Sequence, residues 1–549
     1  MRSIIIEMHS YLISIQNRLR VLLKRCSLPI KAFVFSCAVL FSSCSKEFLT
    51  KIPEDQLSDA IFWKTENDAT IALTGLYSGW ENYTTLGWMD MISDIAYSKF
   101  PTPFQVMGNG QMNASAPGKQ LFNFTQIRKY NNFLEKVDQI EMDAAKKEIY
   151  KAETRFLRAY DYWWKAELYN DVPLVTNTIP SSEEAKINRN PKSEVIDFVL
   201  SELNAIIPIL PVKTMVQSGG HATKGAALAL KARCELFEGK YAEAMESAKM
   251  IMDMGIYELY PSYSGLFQID NENVNNESIM EIVYVENTYS NELWLDILGG
   301  NEGAYAVINP TDKLVNLYEM ANGKTIDDPT SGYDPNKPFK NRDPRLDMTV
   351  LYPGHWFNGR YYDPFALGSP DYWQEAVGFR SAYGFMKWAK AVPSAALDNC
   401  GMNFMVFRLA EMQLIYAEAA IESNQITNEM YDAIDAVRVR SGMPVVDRVE
   451  YSTQAKLRDL VRRERSVELA LEGVRYLDIK RWDIGAQTLS GPLNGSKQGT
   501  VDAGTGEFTI TGDNILLENR IFHPERNYLL PIPQSEMDAN PNIVQNPGY

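Results

Sequence analysis

Residues 462–482 read Arg462-Arg-Glu-Arg465-Ser-Val-Glu468-Leu-Ala-Leu-Glu472-Gly-Val-Arg475-Tyr-Leu-Asp478-Ile-Lys-Arg481-Trp482. On a helix, Glu468 and Glu472 lie one turn apart on one face. Arg465 and Arg475 each lie three residues outside this pair, so the four side chains can form a ladder of opposite charges. Because charged side chains are rarely buried unless they are paired, the stretch predicts a partly buried ion-pair network that locks this helix against its neighbours.

The alternative role for Glu468 and Glu472 is a catalytic carboxylate pair. A glycoside hydrolase needs two carboxylates across a cleft, about 5–5.5 Å or 6.5–9.5 Å apart, and one of them needs a raised pKa. Flanking arginines lower both pKa values, which is wrong for the acid. The GxSxG, HExxH and Walker signatures are absent, and His221, His355 and His523 lie in unrelated segments. We therefore predict that the protein is not an enzyme.

Helical spacing recurs on both sides of this stretch. Between residues 223 and 254, small and apolar residues fall four apart on two helices, and Gly239 is placed to end the first helix in a left-handed cap. This arrangement resembles a tetratricopeptide helix-turn-helix. The predicted single helices are 66–77, 144–169 and 191–210, and the predicted pairs are 124–169, 190–254, 404–441 and 455–482. The fold class is therefore predicted to be mainly α, a tetratricopeptide-like scaffold of helix pairs.

Three regions depart from helical spacing. Residues 262–400 are rich in Gly, Pro, Asn, Asp and aromatic residues, and they predict irregular structure with short helices and strands. Residues 80–110 are similar. Residues 483–549 are predicted to be loop-like and end in Pro and Asn turns. Because functional residues tend to lie on loops held by a rigid scaffold, the ligand site is expected in the loop-rich, mixed half.

The N-terminus carries a secretory signal. An apolar run at residues 32–41 follows three basic residues and precedes Ser42-Ser43-Cys44. The run is too short to span a bilayer as a mature helix. A cysteine directly after small residues is typical of a bacterial lipoprotein signal, so we predict removal of residues 1–43 and lipidation of Cys44. The alternatives are a non-lipidated signal and a true membrane helix, and the translation start can lie downstream of the first methionine.

Composition narrows the classes of partner and cofactor. The chain has 549 residues and a formal net charge of −16; the leader is basic, so the remainder carries −21. This acidic balance argues against nucleic acid and against an anionic membrane surface as partners. Cys234 and Cys400 make no disulfide framework, and no Cys/His cluster has metal-ligand spacing. Asp270-Asn-Glu-Asn273 and Asp363 are candidate calcium ligands in loops, without EF-hand spacing; no other cofactor is expected.

Many motifs occur in an order that resembles the SusD/RagB family of nutrient-uptake lipoproteins. Residues 462–482 look like the signature helix of that family, and residues 529–536 (Leu-Leu-Pro-Ile-Pro-Gln-Ser-Glu) with 545–549 (Gln-Asn-Pro-Gly-Tyr) resemble its closing motif. Further matches are Phe62-Trp-Lys-Thr65, Asn131-Asn-Phe-Leu134, Glu153-Thr-Arg-Phe-Leu-Arg158, Asp171-Val-Pro-Leu174, Ala222-Thr-Lys-Gly-Ala226, Asn341-Arg-Asp-Pro-Arg345 and Arg408-Leu-Ala-Glu411. One departure is Asp435, where the family more often has Asn.

The resemblance implies a fold, a location and partners. It implies a tetratricopeptide-like helical region at 44–265 and a RagB/SusD region at 266–549. The latter would comprise a variable ligand half (266–400), helices (401–482) and an extended tail (483–549). Members are outer-membrane lipoproteins of Bacteroidota that sit as a lid on a SusC-like TonB-dependent β-barrel and capture nutrients without catalysis. A glycan-binding protein facing the cell exterior is therefore expected; peptide binding and, more remotely, glycoside hydrolysis are the alternatives.

A glycan ligand calls for aromatic faces and polar partners. A sugar ring has an apolar face of C–H groups on which an aromatic ring stacks, and a rim of hydroxyls that pair with Asn, Asp, Gln or Arg. Aromatic residues in the loop-rich segments are the natural candidates. The predicted ligand-binding residues are Trp88, Asp90, Asp94, Tyr97, Asn287, Tyr289, Trp294, Trp356, Tyr361 and Trp373.

Overall fold

The computed structural model describes residues 62–549, so the leader and Cys44 lie outside the described residues. The elements below belong to one unit, Thr65–Tyr549. Its helices are α1 (Glu66–Tyr77), α2 (Tyr83–Met89), α3 (Pro103–Gly108), α4 (Thr125–Lys136), α5 (Ala144–Tyr169), α6 (Lys192–Ile206), α7 (Met215–Ser218), α8 (Lys224–Phe237), α9 (Tyr241–Met252), α10 (Tyr263–Leu266), α11 (Leu293–Ile297), α12 (Asp312–Leu317), α13 (Arg345–Thr349), α14 (Leu409–Glu422), α15 (Asn428–Arg440), α16 (Gln454–Glu468), α17 (Arg475–Arg481), α18 (Gly485–Thr488) and α19 (Gln534–Ala539). Its strands are β1 (Ala96–Tyr97), β2 (Ser278–Ile282), β3 (Asn309–Pro310), β4 (Val350–Leu351), β5 (Trp356–Phe357), β6 (Arg360–Tyr361), β7 (Gly384–Phe385), β8 (Phe404–Arg408), β9 (Gly491–Val501) and β10 (Phe508–Arg520).

Helix α5 is the longest described helix, and its ends follow from its sequence. Asp143 accepts a hydrogen bond from the backbone N–H of Lys146 (2.8 Å), and Asn170, with φ of 64°, closes the C-terminus. Phe156 and Trp163 are fully buried on its inner face, and α4 and α6 pack against it. The predicted bounds of α1 and α5 are confirmed. Among residues 62–549, helix length and apolarity nowhere reach what a bilayer crossing requires.

Helices α8 and α9 form the pair predicted between residues 223 and 254. The Thr223 side chain caps α8, and Gly239 turns the chain at a φ of +67°. Ala244 and Ala248 are fully buried, so the two backbones approach closely. Helix α14 packs against α9, and α15 and α16 pack against α14. This succession of paired helices confirms the predicted mainly α class.

The predicted irregular region at 262–400, with its short helices and strands, is confirmed. Its strands form short antiparallel ladders: β4 pairs with β7, β5 pairs with β6, and β3 pairs with β1 of the 80–110 region. The prediction of a helix pair over 404–441 is wrong at its start, because residues 404–408 form β8, which pairs with β2. Every residue of β8 is buried. A short apolar run buried on both faces cannot be told from a helix segment by periodicity.

The prediction that residues 483–549 are loop-like is wrong over β9 and β10, which form a long antiparallel hairpin. Three register shifts interrupt the ladder between Ile510 and Glu518. Strand β9 is rich in Gly, Asn, Ser and Gln and lacks regular alternation of buried and exposed residues. Strand prediction relies on that alternation and on β-branched residues. The sequence pattern therefore did not predict this hairpin.

The predicted helix pair over 455–482 is confirmed, but Glu468 and Glu472 do not lie on one continuous helix, as the predicted charge ladder requires. Helix α16 ends at Glu468, Leu471 has φ of +63°, and α17 begins at Arg475. Gly473 has φ of +77°, and a Cβ there would lie 2.2 Å from the backbone oxygen of Leu86. The close approach of Leu86 therefore requires glycine, and Glu472 lies in a turn rather than one helical turn beyond Glu468.

Candidate ligand-binding surface

The signature stretch builds a buried ion-pair network around Arg408, at the end of β8. Its Nη1 donates to Glu468 Oε1 (2.7 Å) and to Glu277 Oε1 (2.8 Å), and its Nη2 donates to Glu472 Oε1 (2.7 Å). All four side chains are buried. Glu468 and Glu472 thus converge on one arginine, although they do not share a helix face.

The predicted ion-pair network is confirmed. The predicted pairing of Arg465 and Arg475 with Glu468 and Glu472 is wrong. Arg465 Nε donates to Asp478 Oδ2 (3.0 Å), and Arg475 Nε donates to Asp94 Oδ1 (2.9 Å). The helix break at Gly473 turns Arg475 away from Glu472 and toward the chain segment after α2. This is why spacing on one continuous helix gave the wrong pairs.

The charges around Glu468 set its ionisation. Burial alone would raise the pKa of its carboxyl, but Arg440, Arg408 and Arg345 outweigh burial and hold that pKa well below its usual range. Arg345 Nη1 also donates to Glu468 Oε2 (3.0 Å). A fully enclosed carboxylate held ionised by three guanidinium groups does not act as a general acid near neutral pH.

Four predicted ligand residues lie inside the protein. Asp94 is paired with Arg475, and Trp294 Nε1 donates to the backbone oxygen of Trp388 (3.2 Å). Asp90 is fully buried; burial raises its pKa to about 7, against the opposing effect of the backbone amides of Leu471 and Gly473. The structure thus places these side chains, and the 7%-exposed Tyr97, beneath the surface.

Three other predicted residues, Trp88, Asn287 and Tyr289, belong to one group of contacts. The ring of Tyr289 is 44% exposed and stacks on Tyr284, with centroids 5.5 Å apart and planes 11° apart. The Tyr284 hydroxyl accepts from the backbone N–H of Tyr83 (2.9 Å). Asn287, at a φ of +61°, holds the turn before Tyr289 by exchanging hydrogen bonds with Asn399.

Asp296 on α11 is the buried residue that links Trp88 to Tyr83. Its Oδ2 accepts from the Tyr83 hydroxyl (2.9 Å) and from Trp88 Nε1 (3.0 Å). Burial raises the pKa of Asp296 to about 7, and these two donors oppose the shift. The half-buried Trp88 and the exposed Tyr289 are therefore positioned by a shared buried framework.

Of the remaining predicted residues, Trp356 and Tyr361 form a second aromatic group, whereas the ring of Trp373 contacts Tyr372 and Arg380. Trp356 is 57% exposed and meets Tyr361 edge-on across the β5–β6 hairpin, with centroids 4.9 Å apart. Arg360 in this hairpin pairs with Glu302 (2.6 Å) and with Asp371 (3.2 Å). Apart from Trp373, the predicted site residues thus fall into two surface groups and one buried set.

Tyr289 stands at the edge of a cleft of 140 Å³ whose other residues the sequence did not single out. The cleft is lined by Thr74, Tyr77, Trp80, Gly219, Gly220, His221, Glu281, Ile282, Val283 and Tyr289; we call it the Tyr289 cleft. Its polar wall is fixed by Glu153, whose Oε2 accepts from the Tyr77 hydroxyl (2.8 Å) and lies 2.6 Å from His221 Nδ1. This hydrogen bond to Glu153 raises the pKa of His221.

A larger cavity of 370 Å³ shares one lining residue, the buried Trp80, with the Tyr289 cleft. It is lined by Gly79, Trp80, Glu81, Asn82, Thr85, Lys119, Gln120, Leu121, Asn123, Thr125, Gln126, Tyr160, Asp161, Trp164, Lys165 and Leu168; we call it the Trp80 cavity. Tyr160 and Trp164 lie in α5, in the segment 144–169 that helical spacing predicted. The sequence did not distinguish Trp80 from the other aromatic residues between 80 and 110.

The candidate calcium ligands Asp270 and Asp363 have partners within the protein. Within residues 62–549, no three His, Cys, Asp or Glu side chains gather as a metal site would require. The candidate calcium ligand Asp270 pairs with Lys390 (3.0 Å), and Asp363 accepts from the backbone N–H of Phe365 (2.9 Å). Cys234 and Cys400 are free and buried.

The family models and the known proteins that this chain resembles all point to the same family. The family model described as "SusD family" matches residues 266–549, and the one described as "Starch-binding associating with outer membrane" matches residues 112–236. SusD-like protein P38 of Formosa agariphila is 26% identical over 492 residues, covering 84% of this chain and 92% of that protein. The starch-binding protein SusD of Bacteroides thetaiotaomicron is 24% identical over 473 residues, covering 77% of this chain and 76% of that protein.

The solved structures agree with the sequence comparisons. A SusD-like carbohydrate-binding protein from Bacteroides fragilis is 31% identical, with a TM-score of 0.77, and the match covers 88% of this chain and 100% of that chain. The predicted resemblance is thereby confirmed over the helical scaffold and the loop-rich half alike. The chain belongs to the SusD family.

Proposed function

We propose that this protein captures glycans at the cell surface by non-covalent contact and passes them to a SusC-like TonB-dependent transporter. Support comes first from the family, since the similar B. fragilis structure is described as carbohydrate-binding and the similar B. thetaiotaomicron protein as starch-binding. The description "associating with outer membrane" of the model that matches residues 112–236 supports the location. Lipid attached to Cys44 would hold the protein there.

The observation that carries the proposal is the Tyr289 cleft. An exposed ring, Tyr289, is held in a fixed orientation by stacking on Tyr284, and Glu153 fixes the hydroxyl of Tyr77 and the ring of His221 nearby. Rigid aromatic faces bordered by oriented polar groups suit a sugar ring, because little side-chain freedom is lost on binding. Ligand pockets typically have this mixture of apolar walls and a few placed polar groups.

The predicted ligand residues take different parts in this proposal. Tyr289 contacts the ligand, while Asn287 and Trp88 hold the surface around it. Trp356 and Tyr361 offer a second aromatic surface for a longer glycan, and Trp373 is a further candidate contact. Residues Asp90, Asp94, Tyr97 and Trp294 are buried, so we propose that they support the binding loops from below.

No step of the proposed function makes or breaks a bond. The glycosidase hypothesis rested on Glu468 and Glu472, which are enclosed and bound by arginine and lysine. Family membership favours carbohydrate binding, and the peptide-binding alternative is an outcome of the test below.

The test is binding of the mature chain to a panel of starch, laminarin, xylan and mannan oligosaccharides and to a tryptic peptide digest, by affinity electrophoresis and calorimetry. We expect at least one glycan to bind and to be recovered unshortened by mass spectrometry. Binding of peptides alone, or the appearance of shorter oligosaccharides, would contradict the proposal.

A further inference from the structure

The turn before α8 fixes His221 in the wall of the Tyr289 cleft. Gly219 and Gly220 have φ of +61° and +92°, a backbone conformation that glycine adopts without strain. A Cβ on Gly220 would lie 2.6 Å from a methyl carbon of Val283, the residue that follows β2. The turn therefore packs directly against the chain after β2, and His221 enters the cleft wall from a closely held backbone.

A chain of hydrogen bonds determines which nitrogen of the His221 ring carries hydrogen. The Tyr77 hydroxyl accepts from the backbone N–H of Ala222 (2.8 Å) and donates to Glu153 Oε2 (2.8 Å). His221 Nδ1 lies 2.6 Å from the same carboxylate oxygen. Because an ionised carboxylate only accepts hydrogen bonds, Nδ1 carries a hydrogen and donates it to Glu153 in both charge states of the ring.

The other ring nitrogen, Nε2, is the part of His221 that is open to a ligand. The His221 side chain is 41% exposed, and within residues 62–549 no hydrogen bond reaches Nε2, which is not a buried atom. Glu153, which holds Nδ1, is only 6% exposed in its side chain and does not line the cleft. Nε2 therefore lies on the edge of the ring that faces away from Glu153 and remains accessible.

The charge of the ring decides what Nε2 offers to a ligand. In the neutral ring with hydrogen on Nδ1, Nε2 is an acceptor, whereas in the imidazolium Nε2–H is a donor. The hydrogen bond and the negative charge of Glu153 raise the pKa of His221, while burial and Lys213 oppose that shift. Glu153 thus favours the charged ring, in which Nε2 donates.

Two further titratable groups of the cleft stand near this ring. Tyr77 lies with its ring centroid 4.9 Å from that of His221, and burial raises the pKa of its hydroxyl. Glu281 on β2 also lines the cleft, burial raises its pKa, and it accepts from Asn403 Nδ2 (2.8 Å). Both groups are unchanged in a variant of His221, so their titration cancels when such a variant is compared with wild type.

We propose that His221 is a direct, pH-sensitive contact of the glycan: as the imidazolium, its Nε2–H donates a hydrogen bond to an acceptor oxygen of the sugar at the Tyr289 cleft. The inference rests on the proposed function and extends it, because it names a polar contact beside the ring of Tyr289. A charged donor forms a stronger hydrogen bond than a neutral one. Affinity is therefore highest where His221 is protonated and falls as pH rises.

The experiment compares wild type with His221→Asn by calorimetry at pH 6 and pH 9, using the best-bound neutral glycan of the panel, which has no group that titrates in this window. The asparagine amide can still donate to Glu153, but it leaves no atom at the position of Nε2. We expect the wild-type advantage in affinity over His221→Asn to be about 3–10-fold larger at pH 6 than at pH 9, the difference between a charged and a neutral hydrogen bond. An advantage that is equal at both pH values overturns the inference.

The matched control is His523→Asn. His523 is 45% exposed and its Nδ1 lies 3.5 Å from Glu525, so it resembles His221 in exposure and in having a carboxylate neighbour, but it does not line the cleft. Its pH dependence of binding should equal that of wild type. Melting temperatures of both variants verify folding. A loss of pH dependence in His523→Asn as large as in His221→Asn would contradict the assignment to the cleft.

A second measurement uses the wild-type chain and distinguishes a ligand contact from a structural role. Nuclear magnetic resonance of histidine-labelled protein, with His221→Asn to assign the signal, gives the pKa of His221 with and without saturating glycan. Because coupling between two binding events is reciprocal, the glycan should raise this pKa by the logarithm of the affinity ratio, about 0.5–1. An unmoved pKa overturns the inference.

The outcomes separate this inference from the proposed function. If Tyr289→Ala abolishes glycan binding while His221 shows neither effect, the proposed function stands and the His221 contact falls. If the wild-type protein binds no glycan of the panel at either pH, both fall.

Discussion

Arg408 Nη1 donates to Glu468 Oε1 over 2.7 Å, and neither side chain is more than 1% exposed. Arg408 ends β8, and Glu468 ends α16, so this one contact joins the central strand pair to the helical scaffold. The same guanidinium also holds Glu277 and Glu472. Removing one partner of a buried ion pair leaves an uncompensated charge, which is more costly than losing a surface pair.

The first prediction is that Arg408→Met strongly destabilises the fold. Three buried carboxylates lose their shared partner, and we expect the free energy of unfolding to fall by about 3–5 kcal/mol, measured by urea unfolding followed by circular dichroism. The matched control is Arg448→Met, because Arg448 is 44% exposed and pairs with Asp432, which is 65% exposed, and at 3.5 Å with Asp435. This control should cost about 0–1 kcal/mol, and equal losses in the two variants would contradict the structural role of Arg408.

The second prediction concerns two glycines with positive φ. Gly473→Ala places a Cβ 2.2 Å from the Leu86 backbone oxygen, whereas Gly219→Ala meets nothing within 4 Å. The backbone strain of about 1–2 kcal/mol is common to both, and the clash adds about 1–3 kcal/mol at Gly473 alone. The difference in urea midpoint between these variants measures the close approach of the turn to α2, and equal midpoints would show that the turn lies elsewhere.

The third prediction is a pH dependence that arises at Asp296. Its pKa is raised to about 7 in the folded protein, above the value of about 3.9 in an unfolded chain. The neutral carboxyl therefore contributes stability that is full below pH ~4 and is lost as pH rises through ~7. Asp296→Asn removes this titration, while its amide oxygen can still accept from Tyr83 and Trp88.

Thermal melting of both proteins between pH 4 and pH 8 tests this sign. The melting temperature of Asp296→Asn relative to wild type should rise with pH across this window. A difference that is constant, or that falls with pH, would mean that Asp296 stays ionised in the folded protein. Other buried carboxyls, such as Glu81, titrate alike in both proteins and cancel in the comparison.

The fourth prediction is lipidation at Cys44, outside the described residues. Labelled palmitate should enter the wild-type protein in its native host and should be absent from Cys44→Ser. The matched control is Cys234→Ser, because Cys234 is a free cysteine buried in α8. Label retained in Cys44→Ser would place the anchor elsewhere.

Helical spacing was a reliable guide where a helix has one buried face. Helix α1, from Glu66 to Tyr77, and α5, from Ala144 to Tyr169, begin and end where helical spacing predicted. The same reasoning failed at β8, which is buried on both faces, and at β9, which is polar and glycine-rich. In both places the pattern that distinguishes strand from other structure is missing.

The binding surface was harder to predict, for a different physical reason. An aromatic residue in a loop can be core or surface, and sequence spacing does not distinguish Trp294, which is 3% exposed, from Tyr289, which is 44% exposed. The Tyr289 cleft also takes Tyr77 from the end of α1 and His221 from the segment before α8. Only the folded chain brings such distant segments together.

The most direct test of the account is calorimetric titration of the mature chain with the best-bound glycan of the panel, comparing Tyr289→Ala with Tyr305→Ala. Tyr305 is 49% exposed, as Tyr289 is 44% exposed, but it does not line the cleft. We predict that Tyr289→Ala raises the Kd at least tenfold, about 1.4 kcal/mol, while Tyr305→Ala changes it less than twofold. Equal effects of the two substitutions, or no effect of either, would contradict glycan capture at this cleft.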